Sequence, residues 1–564
     1  MKKNKKIIMG TFTGAAVIAM PIITVVSCGH KKDETIIRKP KYSNNQKVDL
    51  ASLIREKNQK FIYENDDDSN PILDYKKIKI VSLGDSVSAG YSQLDEKDHR
   101  GYSNNGKISG ISYGSYIARA LNKNNKLSEF NNFGIGGATT DTLRSQLDPK
   151  YKLNGNSETR SNLINAKLVF PEKGEKERFT KIQEKLREAD FVTISIGAND
   201  ILYSLKIGGL TINEILAKGT DKINMSGGIN SLITYDKKEF NAAVKKAQNN
   251  LMAIISRIKS FNSKVKIVIV GYPMPITQLS SIIKIVRDSD GCSLAEKLLK
   301  TLDGIGGRIA NQFNTVDFID GYIENTWDKN SITLAPELLD IHPGARGYKM
   351  IAATILSRLT GITNTKIDER NAFLPTDSKV RLKGFYGDSI KEYTDINFPL
   401  TKEEEKVDGL AKPYKLFRFA TNLIAKIVRT NNASNSLTTD LIKNYGNTSM
   451  ADNAKYLFPF IKQLFKSAEL GLNSNEEIVK KGVEQDIKFI IASFLNIASK
   501  FKTGIPTDPN SIYGLMKIFV PEISNGGMPL IKKLLDANMD ANILNEKAIK
   551  NIIANGPAKD YLKQ

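Results

Sequence analysis

The sequence predicts an α/β fold: a three-layer α/β/α domain on a parallel five-stranded sheet, followed by an all-α C-terminal region. Two patterns carry that expectation. Between residues 75 and 362, apolar runs of strand length alternate with amphipathic stretches of helix length, which argues for βαβ units. Beyond residue 400 the strand-like runs stop and apolar residues recur at helical spacing. Composition bounds the class. With 40% hydrophobic and 25% charged residues over 564 positions, wholesale disorder is excluded and more than one domain is expected.

Taken in order, the chain opens on Lys2, Lys3, Lys5 and Lys6, an uncharged run from Ile7 to Ser27, and then Val25-Val26-Ser27-Cys28-Gly29. This resembles a lipoprotein signal peptide over residues 1–27, with small or apolar residues before a cysteine. The resemblance implies cleavage before Cys28, lipidation of its thiol, and a body held on the extracellular face of the cell membrane. The rival reading is an uncleaved helical anchor, since 21 uncharged residues can cross a bilayer. Cysteine usage favours lipidation: the chain has only Cys28 and Cys292, so no disulfide framework exists, and one cysteine stands where lipidation needs it. Residues 28–74 are polar and charged and read as a tether.

The first strand, Ile78 to Leu83, ends at Gly84-Asp85-Ser86 with small residues beyond, a corner that exposes a serine at a strand's carboxyl end. A helix is expected near Tyr113 to Lys123. A short strand then leads to Asn132-Phe133-Gly134-Ile135-Gly136-Gly137, and a charged helix covers Lys176 to Glu188. Phe191 to Ile196 is a strand ending in Gly197-Ala198-Asn199-Asp200. Ile201 to Phe240 is longer than a typical loop and carries apolar residues, so it reads as lid-like. A helix from about Lys237, a strand at Val265 to Val270, a helix at Leu294 to Asn311 and a strand at Val316 to Ile319 follow. Asp340-Ile341-His342-Pro343-Gly344 then opens the closing helix.

These four blocks, in this order, resemble the SGNH (GDSL) hydrolases, named for Ser, Gly, Asn and His. The match spans residues 75–362, and it implies a flavodoxin-like hydrolase domain acting on esters. It further implies that Ser86 is the nucleophile, that His342 is the base, and that the oxyanion donors are the Ser86 N–H, the Gly137 N–H and the Asn199 amide. Hydrolysis through a serine needs each of these parts. Among only three histidines, His30 lies in the tether, His99 in a charged loop that could line the site, and His342 at the family's base position. The family places its acid three residues before the base, where Leu339 stands. Asp340, two residues before, is the candidate acid, and a Ser–His dyad is the alternative.

Two serines are decoys. Gly387-Asp388-Ser389 repeats the corner's letters without a strand before it. Ser112, in Gly110-Ile111-Ser112-Tyr113-Gly114, fits a hydrolase elbow but follows a polar stretch, and reads as a helix cap. Cysteine and histidine are too scarce for a zinc site, and no phosphate loop is present, so neither metal nor cofactor is expected. The net charge of +21 favours anionic surfaces, membranes among them, or else a solvated lysine-rich face; no specific nucleic-acid partner is expected.

Residues 363–400 read as a linker and 401–564 as a helical domain. Thr401 with Glu404 and Ser474 with Glu477 fit capping boxes. The stripes Phe417, Leu423, Ile424, Ile427, Val428 and Ile487, Ile490, Ile491, Phe494, Leu495, Ile497 read as helical core. The expected function is a lipid-anchored esterase or lipase using an ester substrate, lysophospholipid or other lipid esters first. An O-acetyl-glycan esterase is one alternative. A non-catalytic surface lipoprotein, binding a protein partner through its helical half, is another.

Overall fold

Alternating apolar residues in Ile78–Gly84 form the inner strand β1, and four further runs of strand length join it in one sheet. These are β2 (Leu127–Asn132), β3 (Phe191–Ser195), β4 (Lys266–Val270) and β5 (Val316–Ile319). Across the sheet the order is β5-β4-β3-β1-β2, and every pairing is parallel. Ile80 of β1 stands opposite Phe130 of β2 on one side and Phe191 of β3 on the other. The strand order therefore reverses at β1, and the carboxyl ends of β1, β2 and β3 border the switch point where open α/β sheets hold ligands.

In this computed structural model the described residues are 77–123, 125–148, 150–151, 172–207, 209–211, 214, 233–273, 277–280, 294–322, 324–358, 387–433, 450–498, 513–514, 516–517, 520–538 and 545–562. Residues 1–76, which hold Cys28 and the stretches read as signal peptide and tether, lie outside them, as do residues 215–232 of the long insertion and residues 359–386.

The sheet's two faces carry two cores, as period-two alternation requires. Ile78, Ile80, Phe130, Phe191, Val268 and Val270 pack with the helices Tyr113–Lys123 and Ala345–Arg358. Val81, Leu83, Val192, Ile194, Ile267 and Ile269 pack with Thr140–Leu147, Lys237–Phe261 and Leu294–Ala310. The result is a three-layer α/β/α fold.

The described part of the Ile201–Phe240 insertion is anchored at its start and carries a small sheet. Ile201, Leu202 and Leu205 are buried in the core, and Leu205–Ile207, Leu210–Thr211 and Ile233–Tyr235 form a small antiparallel sheet. Apolar residues in a long connection went inward because core was there to receive them.

The C-terminal part is mostly helical. Helices Lys415–Ala433, Met450–Leu472, Glu477–Ala498, Pro529–Asn538 and Glu546–Asn555 enclose a core built on Val479, Val483, Ile487, Ile491, Ile531 and Leu535. Thr401 and Glu404 form the expected capping box. The expected box at Ser474 takes a different form: Ser474 Oγ accepts from Glu476 N at 3.2 Å, and the helix starts later, with Glu476 O accepting from Lys480 N. Helix Gly387–Thr394 falls inside the stretch read as linker, with Ser389 buried within it.

Candidate active site

β1 ends where only glycine fits. Gly84 has φ 131, and a Cβ there would lie 2.0 Å from Ser195 O of β3. Asp85 follows as the cap of a one-turn helix, Ser86–Ala89, its Oδ1 accepting from Val87 N at 3.0 Å. The corner is stitched to β3 twice, by Asp85 N donating to Ser195 O at 2.9 Å and Ser195 N donating to Ser88 Oγ at 3.1 Å. Ser86 thus sits at the carboxyl end of β1, 5% exposed.

Tyr272, just past β4, was not singled out from sequence. Its hydroxyl donates to Asp85 Oδ2 and accepts from Ala198 N at 3.4 Å, joining the serine corner to the segment that carries Asn199. Burial pushes the Asp85 carboxyl up to about 7, against the pull of the Tyr272 and Val87 bonds and of the nearby His342. The available signal was a tyrosine in Gly271-Tyr272-Pro273, an apolar ring with a polar tip at a strand's carboxyl end.

Gly137 has φ 75, a conformation glycine adopts freely and other residues resist. Asn199 lies in the short helix Ala198–Leu202 directly after β3, and its Nδ2 donates to Ala138 O at 2.9 Å. Tyr203 Oη lies 3.4 Å from Gly137 O and donates to it. Asp200 ties the same two segments, accepting from Thr140 N at 2.8 Å and Thr140 Oγ1 at 2.6 Å, while burial pushes its carboxyl up to about 6. The glycine and asparagine blocks are therefore one unit. The Asn199 amide has two N–H donors, so one remains beyond the bond to Ala138.

Asp340 Oδ1 accepts from His342 N at 3.0 Å and pairs with His342 Nδ1 at 2.5 Å, both side chains being nearly buried. The preceding Leu339 has φ 64, left-handed backbone that a bulky residue seldom adopts. That turn brings Asp340 under the ring from a spacing one residue short of the family's. His342 packs on the Tyr91 ring with centroids 4.7 Å apart. Tyr348 Oη donates to Tyr91 O at 2.8 Å and lies 3.5 Å from Ser86 O, so one hydroxyl joins the serine corner to the support of the imidazole.

The remaining candidates sit elsewhere. His99 Nε2 is 3.1 Å from both Asp95 carboxylate oxygens and lines a cavity of about 550 Å³ with Asp98, Arg100, Tyr102, Asn131 and Lys181; neither Ser86 nor His342 lines it. Ser112 Oγ accepts from Ser115 N at 3.1 Å, as a helix cap does. Among the described residues no cluster of three metal-ligating side chains occurs.

Residues 82–350 match the GDSL-like lipase/acylhydrolase family. This region is a GDSL-like hydrolase domain. It is the domain of a serine hydrolase acting on ester bonds. Among curated proteins, none matches the chain. Solved structures similar to this chain include a lipase from a goat-rumen metagenome, at 16% identity, covering 51% of this chain and 100% of that one, with a TM-score of 0.30. Phospholipase A1 from Streptomyces albidoflavus NA297 is similar at 16% identity over 50% of this chain and 99% of that one, with a TM-score of 0.29. An acetyl xylan esterase from the rumen bacterium Butyrivibrio proteoclasticus is similar at 13% identity over 50% and 64%, with a TM-score of 0.27.

Proposed function

We propose that the protein is a membrane-anchored, extracytoplasmic esterase that hydrolyses carboxylic esters, lysophospholipid or other lipid esters foremost, through Ser86, His342 and Asp340. The observation that carries this reading is the Asp340–His342 pair held against Tyr91, whose carbonyl shares the Tyr348 hydroxyl with the Ser86 corner. Ser86 Oγ attacks the ester carbonyl carbon as its proton passes to His342 Nε2. The oxyanion is met by the N–H of Ser86, the N–H of Gly137 and the Asn199 amide, which lie at adjoining strand ends. Collapse breaks the bond to the leaving oxygen, and His342 returns the proton to it. Water, deprotonated by His342, then attacks the acyl-enzyme, releasing the acid and restoring Ser86.

The anchoring is supported by the lysine-led apolar run before Cys28. Lipid esters are supported by that anchoring and by the net charge of +17 that the chain carries from Cys28 onward, which draws the body to anionic membranes. An O-acetylated glycan is the second reading, favoured by the cavity in which the exposed Tyr102 ring stands among Asp98, Arg100 and Asn131.

The test uses the full chain in detergent, with nitrophenyl esters of short and long chain, lysophospholipids and O-acetylated sugars. The Ser86→Ala chain is the blank. Turnover in the parent and loss by several orders of magnitude in the blank support the esterase; equal rates remove it. Incorporation of labelled palmitate, lost in Cys28→Ser, tests the anchor.

A further inference from the structure

The closing helix of the hydrolase domain, Ala345–Arg358, begins three residues after His342, and its amino end cannot cap itself. Gly344 holds the capping place, its carbonyl accepting from Tyr348 N at 3.0 Å. Ser, Thr, Asp or Asn would ordinarily stand there. None fits, because a Cβ on Gly344 would lie 2.6 Å from Pro336 Cδ. The missing acceptor arrives from well beyond the helix in sequence: Asp408 Oδ1 accepts from Ala345 N at 3.2 Å.

Asp408 is held there by a brace. Its helix, Lys402–Asp408, is fastened by Glu404, which bonds Lys349 Nζ at 2.8 Å and Tyr116 Oη at 2.5 Å. Lys349 lies on the helix that Asp408 caps, one turn further on. Arg346 on that helix donates to Ile396 O at 2.9 Å and Phe398 O at 3.2 Å, and Gly110 N donates to Glu403 Oε1 at 3.3 Å. Val407 joins the same core cluster as Tyr348 and Ile351. The segment at 396–408 is thus part of the hydrolase body.

We propose that Asp408 is a positioning residue for the reaction, holding the helix start that follows His342 so that the imidazole keeps its place against the Tyr91 ring. The proposal rests on the serine-hydrolase reading of the site. Burial pushes the Asp408 carboxyl up to about 6, against the pull of the bond from Ala345 N and of Arg346 and Lys349.

Three full-length variants are compared with the parent on nitrophenyl butyrate, with Ser86→Ala as blank. Asp408→Ala and Asp408→Leu remove the acceptor; Asp408→Asn keeps an oxygen that can accept. Misplacing a catalytic group by about 1 Å costs on the order of 100-fold in rate, so kcat is expected to fall by roughly 10-fold or more in the first two, with KM little changed. Asp408→Asn is expected to stay within about threefold of the parent, since the acceptor persists. The proposal is overturned if either acceptor-less chain melts as the parent does and keeps its kcat, or if Asn loses as much as Ala. It is also overturned if both acceptor-less chains lose their melting transition, which would assign Asp408 to folding alone. A parent no faster than the Ser86→Ala blank would remove the hydrolase reading itself.

Discussion

Asp340 and His342 are joined twice through one oxygen: Asp340 Oδ1 takes the backbone N–H of His342 at 3.0 Å and meets its ring Nδ1 at 2.5 Å. The first contact fixes the turn and the second fixes the tautomer, leaving Nε2 as the ring's acceptor.

Replacing Asp340 with Asn is therefore expected to lower kcat by roughly 100- to 10,000-fold, the upper figure being that of an acid-to-amide change in a serine protease triad. Leu339→Asp placed in an Asp340→Ala chain is expected to give no recovery. The left-handed turn at Leu339 directs its side chain into the core packing instead of toward the ring. Steady-state rates on nitrophenyl acetate check both, and recovery in the double variant would contradict the geometry.

Asn199→Ala removes one oxyanion donor and the bond to Ala138 O. A loss of about 100- to 1,000-fold in kcat is expected from the donor alone. KM should move much less. Loss confined to KM would show that the amide binds substrate without meeting the oxyanion.

Asp85 gives a pH dependence with a definite sign. Its carboxyl is pushed up to about 7 by burial, so the folded chain binds that proton more tightly than the unfolded chain. The contribution is fully present below about pH 4, the ordinary carboxylate range, and is lost as pH rises through 7. Asp85→Asn cannot titrate. Between pH 5 and 8 its melting temperature is expected to fall less steeply than the parent's in calorimetry; parallel slopes would contradict the assignment.

Glu404 and Lys349 form an ion pair with side chains 1% and 8% exposed. Glu404→Ala leaves the Lys349 ammonium buried without its partner, and a cost of about 3–5 kcal/mol in denaturant unfolding is expected. Glu404→Leu combined with Lys349→Met should recover most of that. No recovery would mean that Tyr116 and the Thr401 cap, not the charge pair, carry the stability.

Much of the fold was legible because local signals agreed with it. Apolar runs marked all five sheet strands, and the corner after β1 announced itself through Gly84, whose positive φ and contact with Ser195 O admit no side chain. The four blocks were legible as residue types at strand ends. What stayed hidden depends on long-range packing. Nothing near Leu339 in sequence signals a left-handed turn, so the reach of Asp340 could not be read from spacing. Tyr272 and Tyr348 look like ordinary core aromatics until their hydroxyls are traced to Asp85 and Tyr91. The Gly387–Thr394 helix escaped because its stretch carries too few apolar residues to show a period.

The most direct test of the account is the covalent intermediate. The full chain is mixed with a nitrophenyl ester, quenched in acid within one turnover and mapped by peptide mass. One acyl group on the peptide bearing Ser86, absent from the Ser86→Ala chain, is the predicted result. No acyl group at all, or one carried by Ser112 or Ser389, would contradict it.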